Sequence, residues 1–131
     1  MKLFKPVYAH CDVPCGIYET DTMKHAADTC TVMIDKITAL GAVDTIEKMN
    51  TFARMVATKE VHAERVKHEL AVLWGDYFKP EHLEAHPDLH DKVWKALKQA
   101  GKVKQTVDSA EAQKLVDAVA EIADIYAATK Q

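Results

Sequence analysis

The chain has few of the features that would place it in a membrane or on nucleic acid. No apolar run approaches the roughly 20 residues needed to cross a bilayer, and the first nine residues lack the apolar stretch of a secretory signal. Its 17 basic and 20 acidic residues give a formal net charge of -3 without a basic block, which argues against a nucleic-acid partner. We expect a cytoplasmic protein that binds neither nucleic acid nor a membrane.

Cysteine is also scarce. Three cysteines are an odd number, which argues against a purely structural disulfide framework in a chain with no export signal. Cys30 falls on the apolar face of a predicted helix, where a thiol is typically buried and unreactive. Cys11 and Cys15 remain, and they lie outside any helical pattern.

The sequence lacks strand-like alternation, internal repeats and low-complexity segments. Apolar residues instead recur at helical spacing in four stretches. The first ends at Gly41, the second runs to Pro80, the third begins near Pro87 and the fourth begins near Asp108. We therefore predict an all-α fold, with an antiparallel four-helix bundle over residues 19–131.

Ahead of these helices, residues 10–15 read His-Cys-Asp-Val-Pro-Cys. Two thiols and one imidazole fall within six positions, and Pro14 prevents a regular helix through them. Thiolates are soft ligands and imidazole is a borderline one, so this combination suits a transition metal. We predict a metal-binding hook over residues 10–18.

The ligand set changes if the chain is cut just before His10. A free amine on His10 and the backbone nitrogen of Cys11 would then join the sulfurs of Cys11 and Cys15 in one plane, with the His10 ring free to bind axially. Tetragonal sites of this kind favour Cu(II) or Ni(II), whereas Zn(II) prefers a tetrahedron. On the residues alone, a redox disulfide and a generic zinc or copper site completed by another histidine both stay open.

Two stretches resemble the nickel superoxide dismutase family. Residues 10–18 are similar to its nickel-binding motif His-Cys-Asp-x-Pro-Cys-x-x-Tyr, which ends here at Tyr18. Residues 73–80, which read Leu-Trp-Gly-Asp-Tyr-Phe-Lys-Pro, resemble a second stretch of the same family, with His82, Pro87, Leu89 and His90 behind it. Together with the helical pattern, the likeness covers His10 to the C-terminus.

This resemblance implies an enzyme that converts superoxide to dioxygen and hydrogen peroxide, with a nickel ion cycling between the divalent and trivalent states. It implies that the His10 amine, the Cys11 backbone nitrogen and the thiolates of Cys11 and Cys15 bind the nickel, and that the His10 ring is the axial ligand. It also implies a homohexamer, and a leader at residues 1–9 that a protease removes to expose His10. The uncut chain should be inactive.

The resemblance gives roles to further residues. Tyr18 would stand over the open face of the metal as a gate for small anions or water, while Asp12 and Pro14 fix the shape of the hook. Tyr77 and Lys79 would surround the site or its entry, where a lysine attracts an anionic substrate.

The sequence departs from the family at the support of the axial imidazole. Many members use a glutamate on the first helix and an arginine on the second, where this chain has Ala26 and His62. His62 is either a substitute hydrogen-bond partner for the His10 ring or an ordinary surface histidine.

Other metal signals are weaker. His82, His86 and His90 are spaced by four, but Pro87 interrupts any helix through them, and no Glu-x-x-His motif of a di-iron bundle occurs.

The alternative function is a non-catalytic nickel or copper carrier that uses the same hook. A third interpretation is a helical interaction module whose hook forms a disulfide.

Overall fold

The computed structural model describes residues 17–130. Their regular structure is entirely helical, which confirms the predicted all-α fold. In chain order the elements are α1 (Asp21–Leu40), α2 (Ile46–Val72), a π-helical turn (Leu73–Tyr77), α3 (Pro80–Ala85), α4 (Leu89–Gln105) and α5 (Ser109–Ala128). Within this part of the chain, no helix is both long and apolar enough to span a bilayer.

The four long helices form an antiparallel bundle. Helix α1 packs against α2 and α5, and α4 packs against the same two helices. Short connections at residues 41–45 and 106–108 reverse the chain between neighbours. The largest apolar side chains of the core are buried to 2% exposure or less: Met23, Ile34, Leu70, Leu73, Leu89, Leu115 and Ile122.

Two predicted helix boundaries are confirmed. Gly41 follows α1 with a φ of 66°, a left-handed conformation that a residue without Cβ adopts freely. Asp108 precedes α5, and its Oδ1 accepts hydrogen bonds from the backbone N–H groups of Ala110 at 2.8 Å and Glu111 at 3.2 Å. These bonds satisfy two donors that the first turn of a helix cannot satisfy itself.

The region between α2 and α4 differs from the prediction of one helix up to Pro80. Regular α-helix ends at Val72, and a wider turn follows in which the N–H of Phe78 donates to the carbonyl of Leu73 at 2.9 Å. The short helix α3 was not predicted; it begins at Pro80, where the missing N–H of proline removes no helical bond. Helix α4 begins at Leu89 rather than at Pro87.

The first half of α2 carries apolar side chains that are exposed in the single chain. Ile46 is 77% exposed, Met49 51% and Phe52 37%. These residues follow the same helical spacing as the buried residues of the second half. The helical spacing of apolar residues therefore predicts the apolar stripe of α2, but only the second half of that stripe is buried in the core of this chain.

A buried lysine ties α2 to the end of α4. Lys59 is 1% exposed, and its Nζ donates to the carbonyls of Val103 at 2.7 Å, Lys104 at 2.5 Å and Thr106 at 2.9 Å. The last carbonyls of a helix have no intrahelical donor, so the ammonium group satisfies them. Burial lowers the pKa of Lys59.

Candidate active site

The sequence-predicted site residues fall into two groups. His10, Cys11, Asp12, Pro14 and Cys15 lie outside the described residues, so their roles stay predictions. Tyr18, His62, Tyr77 and Lys79 lie within them.

Tyr18 and Tyr77 come together although they are 59 positions apart in the chain. Their ring centroids are 5.0 Å apart with an angle of 56° between the planes. Tyr18 lies in the segment that leads from the hook into α1, and Tyr77 is the last residue of the π-helical turn. Turns of this type occur often at functional sites, because the extra residue changes the direction of the side chains.

Two more rings enclose Tyr77. Tyr126, near the end of α5, lies 4.8 Å from it between centroids. His82 of α3 stacks on it at 5.5 Å with an interplanar angle of 13°. The unpredicted helix α3 thus supplies one wall of the cluster, and we call Tyr18, Tyr77, His82 and Tyr126 the aromatic cluster.

Hydrogen bonds fix the phenol groups of the cluster. The Oγ1 of Thr129 donates to the carbonyl of Tyr126 at 2.6 Å, so it must accept from the hydroxyl of Tyr77, 2.5 Å away. The hydroxyl of Tyr126 donates to the carbonyl of Tyr18 at 2.6 Å. The last turn of α5 therefore holds the side chain of Tyr77 and the backbone of Tyr18.

Two lysines lie close to these tyrosines. The Nζ of Lys130 is 5.2 Å from the ring centroid of Tyr77 and 5.1 Å from that of Tyr126, within the range of a cation–π contact. A hydrogen bond with Tyr126 raises the pKa of Lys130, which stays charged. Lys79 is exposed, and its backbone N–H donates to Nδ1 of His82 at 3.1 Å.

Ala26 and His62, the two residues at which the sequence departs from the family, differ in their capacity to form side-chain hydrogen bonds. Ala26 is fully buried in α1 and has no polar side-chain atom. His62, on α2, donates from Nδ1 to the carbonyl of Thr58 at 2.8 Å, because a carbonyl can only accept. Its Nε2 therefore carries the lone pair, with Nη1 of Arg65 at 3.5 Å. No contact between His62 and the aromatic cluster occurs within residues 17–130.

The remaining candidate ligands have other roles. Cys30 is fully buried, as predicted, and donates from Sγ to the carbonyl of Lys59 at 3.6 Å; burial raises the pKa of its thiol to about 11. His90 accepts from Nε1 of Trp74 at 2.7 Å. From Ile17 to Lys130, no three His, Cys, Asp or Glu side chains are grouped closely enough to hold a metal ion.

The contribution of α5 was not predicted from the sequence. Tyr126 continues the apolar spacing of the fourth helical stretch, and Thr129 and Lys130 follow it without forming a recognisable motif. The available signal was a tyrosine, a threonine and a lysine within five positions at the end of an amphipathic helix. That pattern alone does not indicate that the end of α5 contacts Tyr18 and Tyr77.

Comparisons with known proteins agree on one family. The sequence profile described as nickel-containing superoxide dismutase matches residues 5–130. The chain is 38% identical to the superoxide dismutase [Ni] of Streptomyces seoulensis, over 99% of this chain and 97% of that protein. It is 36% identical to the corresponding protein of Streptomyces coelicolor, with the same coverage. A native nickel superoxide dismutase structure superposes with a TM-score of 0.82 at 37% identity, covering 93% of this chain and all of that one.

Proposed function

We infer the function from this premise: the chain belongs to the nickel-containing superoxide dismutase family. It is a nickel-dependent oxidoreductase that converts two superoxide anions and two protons into dioxygen and hydrogen peroxide. One superoxide is oxidised and the other is reduced, so electrons balance without a further co-reactant.

The observation that carries the function is the donor set of residues 10–15, three positions ahead of the anchored Tyr18. Two thiolates, an amine and a backbone nitrogen suit a tetragonal metal that changes oxidation state. Cys30 cannot compete as a ligand, because its thiol is buried in the bundle and its pKa is raised to about 11. When bound, nickel supplies the redox change by cycling between its divalent and trivalent states.

We propose the ligands as follows. The amine and ring of His10, the backbone nitrogen and thiolate of Cys11, and the thiolate of Cys15 hold the metal, while Asp12 and Pro14 shape the hook. Removal of residues 1–9 by a protease turns the His10 nitrogen from an amide into an amine. Before this cut the His10 nitrogen is an amide whose lone pair is delocalised into the carbonyl, so the amine ligand is missing and the precursor is inactive.

The aromatic cluster forms the wall against which the hook lies in this proposal. Tyr18 gates the open face and places small anions or water there with its hydroxyl. Tyr77 holds the ring of Tyr18 in place, and its hydroxyl donates a hydrogen bond to Oγ1 of Thr129.

Local cations attract the substrate. The net charge of -3 weakly opposes an anion at long range, but charges separated by more than about 8–10 Å are largely screened at physiological salt. Lys79 is exposed beside the cluster, and Lys130 lies over two of its rings. We propose both as the cations that raise the local superoxide concentration.

His62 is the remaining candidate to support the His10 ring. Ala26 cannot form a side-chain hydrogen bond, whereas Nε2 of His62 has a lone pair that accepts from an imidazole N–H. We propose that His62 takes this role in place of the arginine and glutamate of other members.

We also propose that the enzyme is a homohexamer in the cytoplasm. The exposed apolar side chains of Ile46, Met49 and Phe52 support assembly, because a monomer rarely leaves such a stripe in water. Light scattering on the processed chain and cell fractionation test the two proposals; a monomer would contradict the first.

The function is tested by supplying nickel to the chain that begins at His10 and to the uncut chain. Metal content and superoxide consumption are measured on both. We expect stoichiometric nickel and turnover in the processed chain and neither in the precursor. Nickel without turnover would indicate the carrier instead, and turnover in the uncut chain would contradict the role of the His10 amine.

A further inference from the structure

We propose that Tyr126 is a positioning residue for the gate: its hydroxyl fixes the backbone of Tyr18, and thereby the point where the chain leaves the hook. The proposal rests on the proposed role of Tyr18.

Hydrogen bonds to two helices hold the segment between the hook and α1. Residues 17–19 form no helix, and the side chain of Ile17 is 72% exposed. The carboxylate of Glu19 accepts from the N–H of Thr22 at 2.9 Å, which ties the segment to the start of α1. The bond from Tyr126 to the carbonyl of Tyr18 ties the same segment to α5. The two bonds hold consecutive residues to two different helices.

This attachment limits where the second thiolate can lie. Cys15 precedes Tyr18 by three residues, and three residues span at most about 11 Å. A displacement of the Tyr18 backbone would therefore move the gate hydroxyl relative to the proposed metal site.

The surroundings of Tyr126 favour a directed hydrogen bond over simple packing. The residue is 9% exposed, and a phenol buried to this extent needs a partner for its O–H. The Lys130 ammonium above its ring polarises the hydroxyl toward stronger donation. The ring of Tyr126 also supports Tyr77, which contacts the ring of Tyr18. One residue thus acts on the backbone of Tyr18 directly and on its ring through Tyr77.

Tyr126→Phe tests the proposal, because it removes the hydroxyl and keeps the ring. Gln99→Leu is the matched control. It removes a partly buried side chain's hydrogen bonds to Glu111, which lies 15 positions before Tyr126 on α5, or about 22 Å away along the helix. Both variants lose hydrogen bonds between elements, but only one loses them at Tyr18.

Amide hydrogen exchange of the full, metal-free chain gives a readout that does not depend on the enzyme. One hydrogen bond contributes about 0.5–1.5 kcal/mol, so we expect the amides of Thr22 and Lys24, which donate to Glu19 and Thr20, to exchange roughly two- to tenfold faster in Tyr126→Phe. The same residues should be unchanged in Gln99→Leu. Equal exchange in the wild type and Tyr126→Phe, or the same acceleration in both variants, would overturn the proposal.

Kinetics on the processed, nickel-loaded variant then connect the attachment to the gate. We expect nickel content to be retained while KM for superoxide and kcat change by different factors, since Tyr18 is displaced rather than removed. Unaltered kinetics in spite of faster exchange would overturn the link to the gate. Absence of turnover in the wild type itself would count against the proposed function, and the exchange result would still stand.

Discussion

The two ends of the bundle are held together in different ways. At one end, a charged group that is 1% exposed, the ammonium of Lys59, donates to three backbone carbonyls at the end of α4. At the other end, phenols and a threonine hydroxyl connect α5 to the π-helical turn and to the segment before α1. Helix α4, with 17 residues, separates these ends by about 26 Å.

This difference suggests that one end of the bundle mainly stabilises the fold and the other mainly supports activity. The Lys59 end closes the bundle with charge-assisted bonds, which are the stronger kind. The tyrosine end includes Tyr18, the last residue of the predicted hook, and uses neutral bonds that a single hydroxyl can make or lose. Substitutions at the first end should therefore change stability, and those at the second should change activity.

The strongest test of this division is at the hook. Cys11→Ser or Cys15→Ser should abolish nickel binding and turnover in the processed chain, because each removes one of two thiolates. The free energy of unfolding should stay the same, since the helices of the bundle are formed by residues 21–128. Metal analysis and urea unfolding measure the two effects.

The third cysteine provides the control for those variants. Cys30→Ala should keep both nickel and turnover, because this thiol donates only to the carbonyl of Lys59. Full nickel retention in Cys11→Ser or Cys15→Ser would contradict the ligand assignment.

At the opposite end, Lys59→Met should destabilise the fold by about 2–4 kcal/mol, because three carbonyls lose their charged donor. The specific activity of the folded, nickel-loaded protein should stay unchanged. Lys104→Met is the matched control: Lys104 forms partly exposed ion pairs with Glu60 and Glu64, worth at most about 1 kcal/mol. Equal destabilisation by both substitutions would remove the special role of Lys59.

Tyr18→Phe should have a smaller effect, confined to catalysis. One hydroxyl contributes about 0.5–1.5 kcal/mol through hydrogen bonding, so kcat/KM should fall roughly two- to tenfold while nickel content stays the same. Steady-state kinetics with metal analysis measure both quantities. Loss of nickel in this variant would make Tyr18 a part of the metal site rather than its gate.

The smallest predicted effect concerns pH. Hydrogen bonds from Gln99 and Lys114 lower the pKa of Glu111 from 4.5 to about 2. A lowered carboxyl pKa contributes stability that is present above pH 4.5 and is lost as the pH falls toward 2. Glu111→Gln should therefore lose less stability than the wild type over this interval, as urea unfolding across the pH range measures. Identical slopes would contradict the assignment.

The fold was largely predictable from the sequence because its signals are local. The apolar spacing, Gly41 after α1 and Asp108 before α5 each act within a few residues. The π-helical turn and α3 were missed, because Trp74 and Tyr77 continue an apolar stripe regardless of the turn type that carries them.

The candidate site was predictable only in part. The hook is a contiguous motif, so its residues could be read directly. The bond from Tyr126 to Tyr18 joins positions 108 apart, and no local pattern marks it. The burial of Lys59 could not be predicted for the same reason. A lysine in an amphipathic helix is expected to be exposed to water, and the carbonyls that it binds are 44 to 47 positions away.

We propose that the hook is the nickel centre and that the bundle positions it. Nickel K-edge X-ray absorption of the processed, nickel-loaded chain identifies the atoms that bind the metal. We predict two sulfur neighbours together with nitrogen ligands, and the same spectrum for Cys30→Ala. A first shell of nitrogen and oxygen without sulfur would contradict the account.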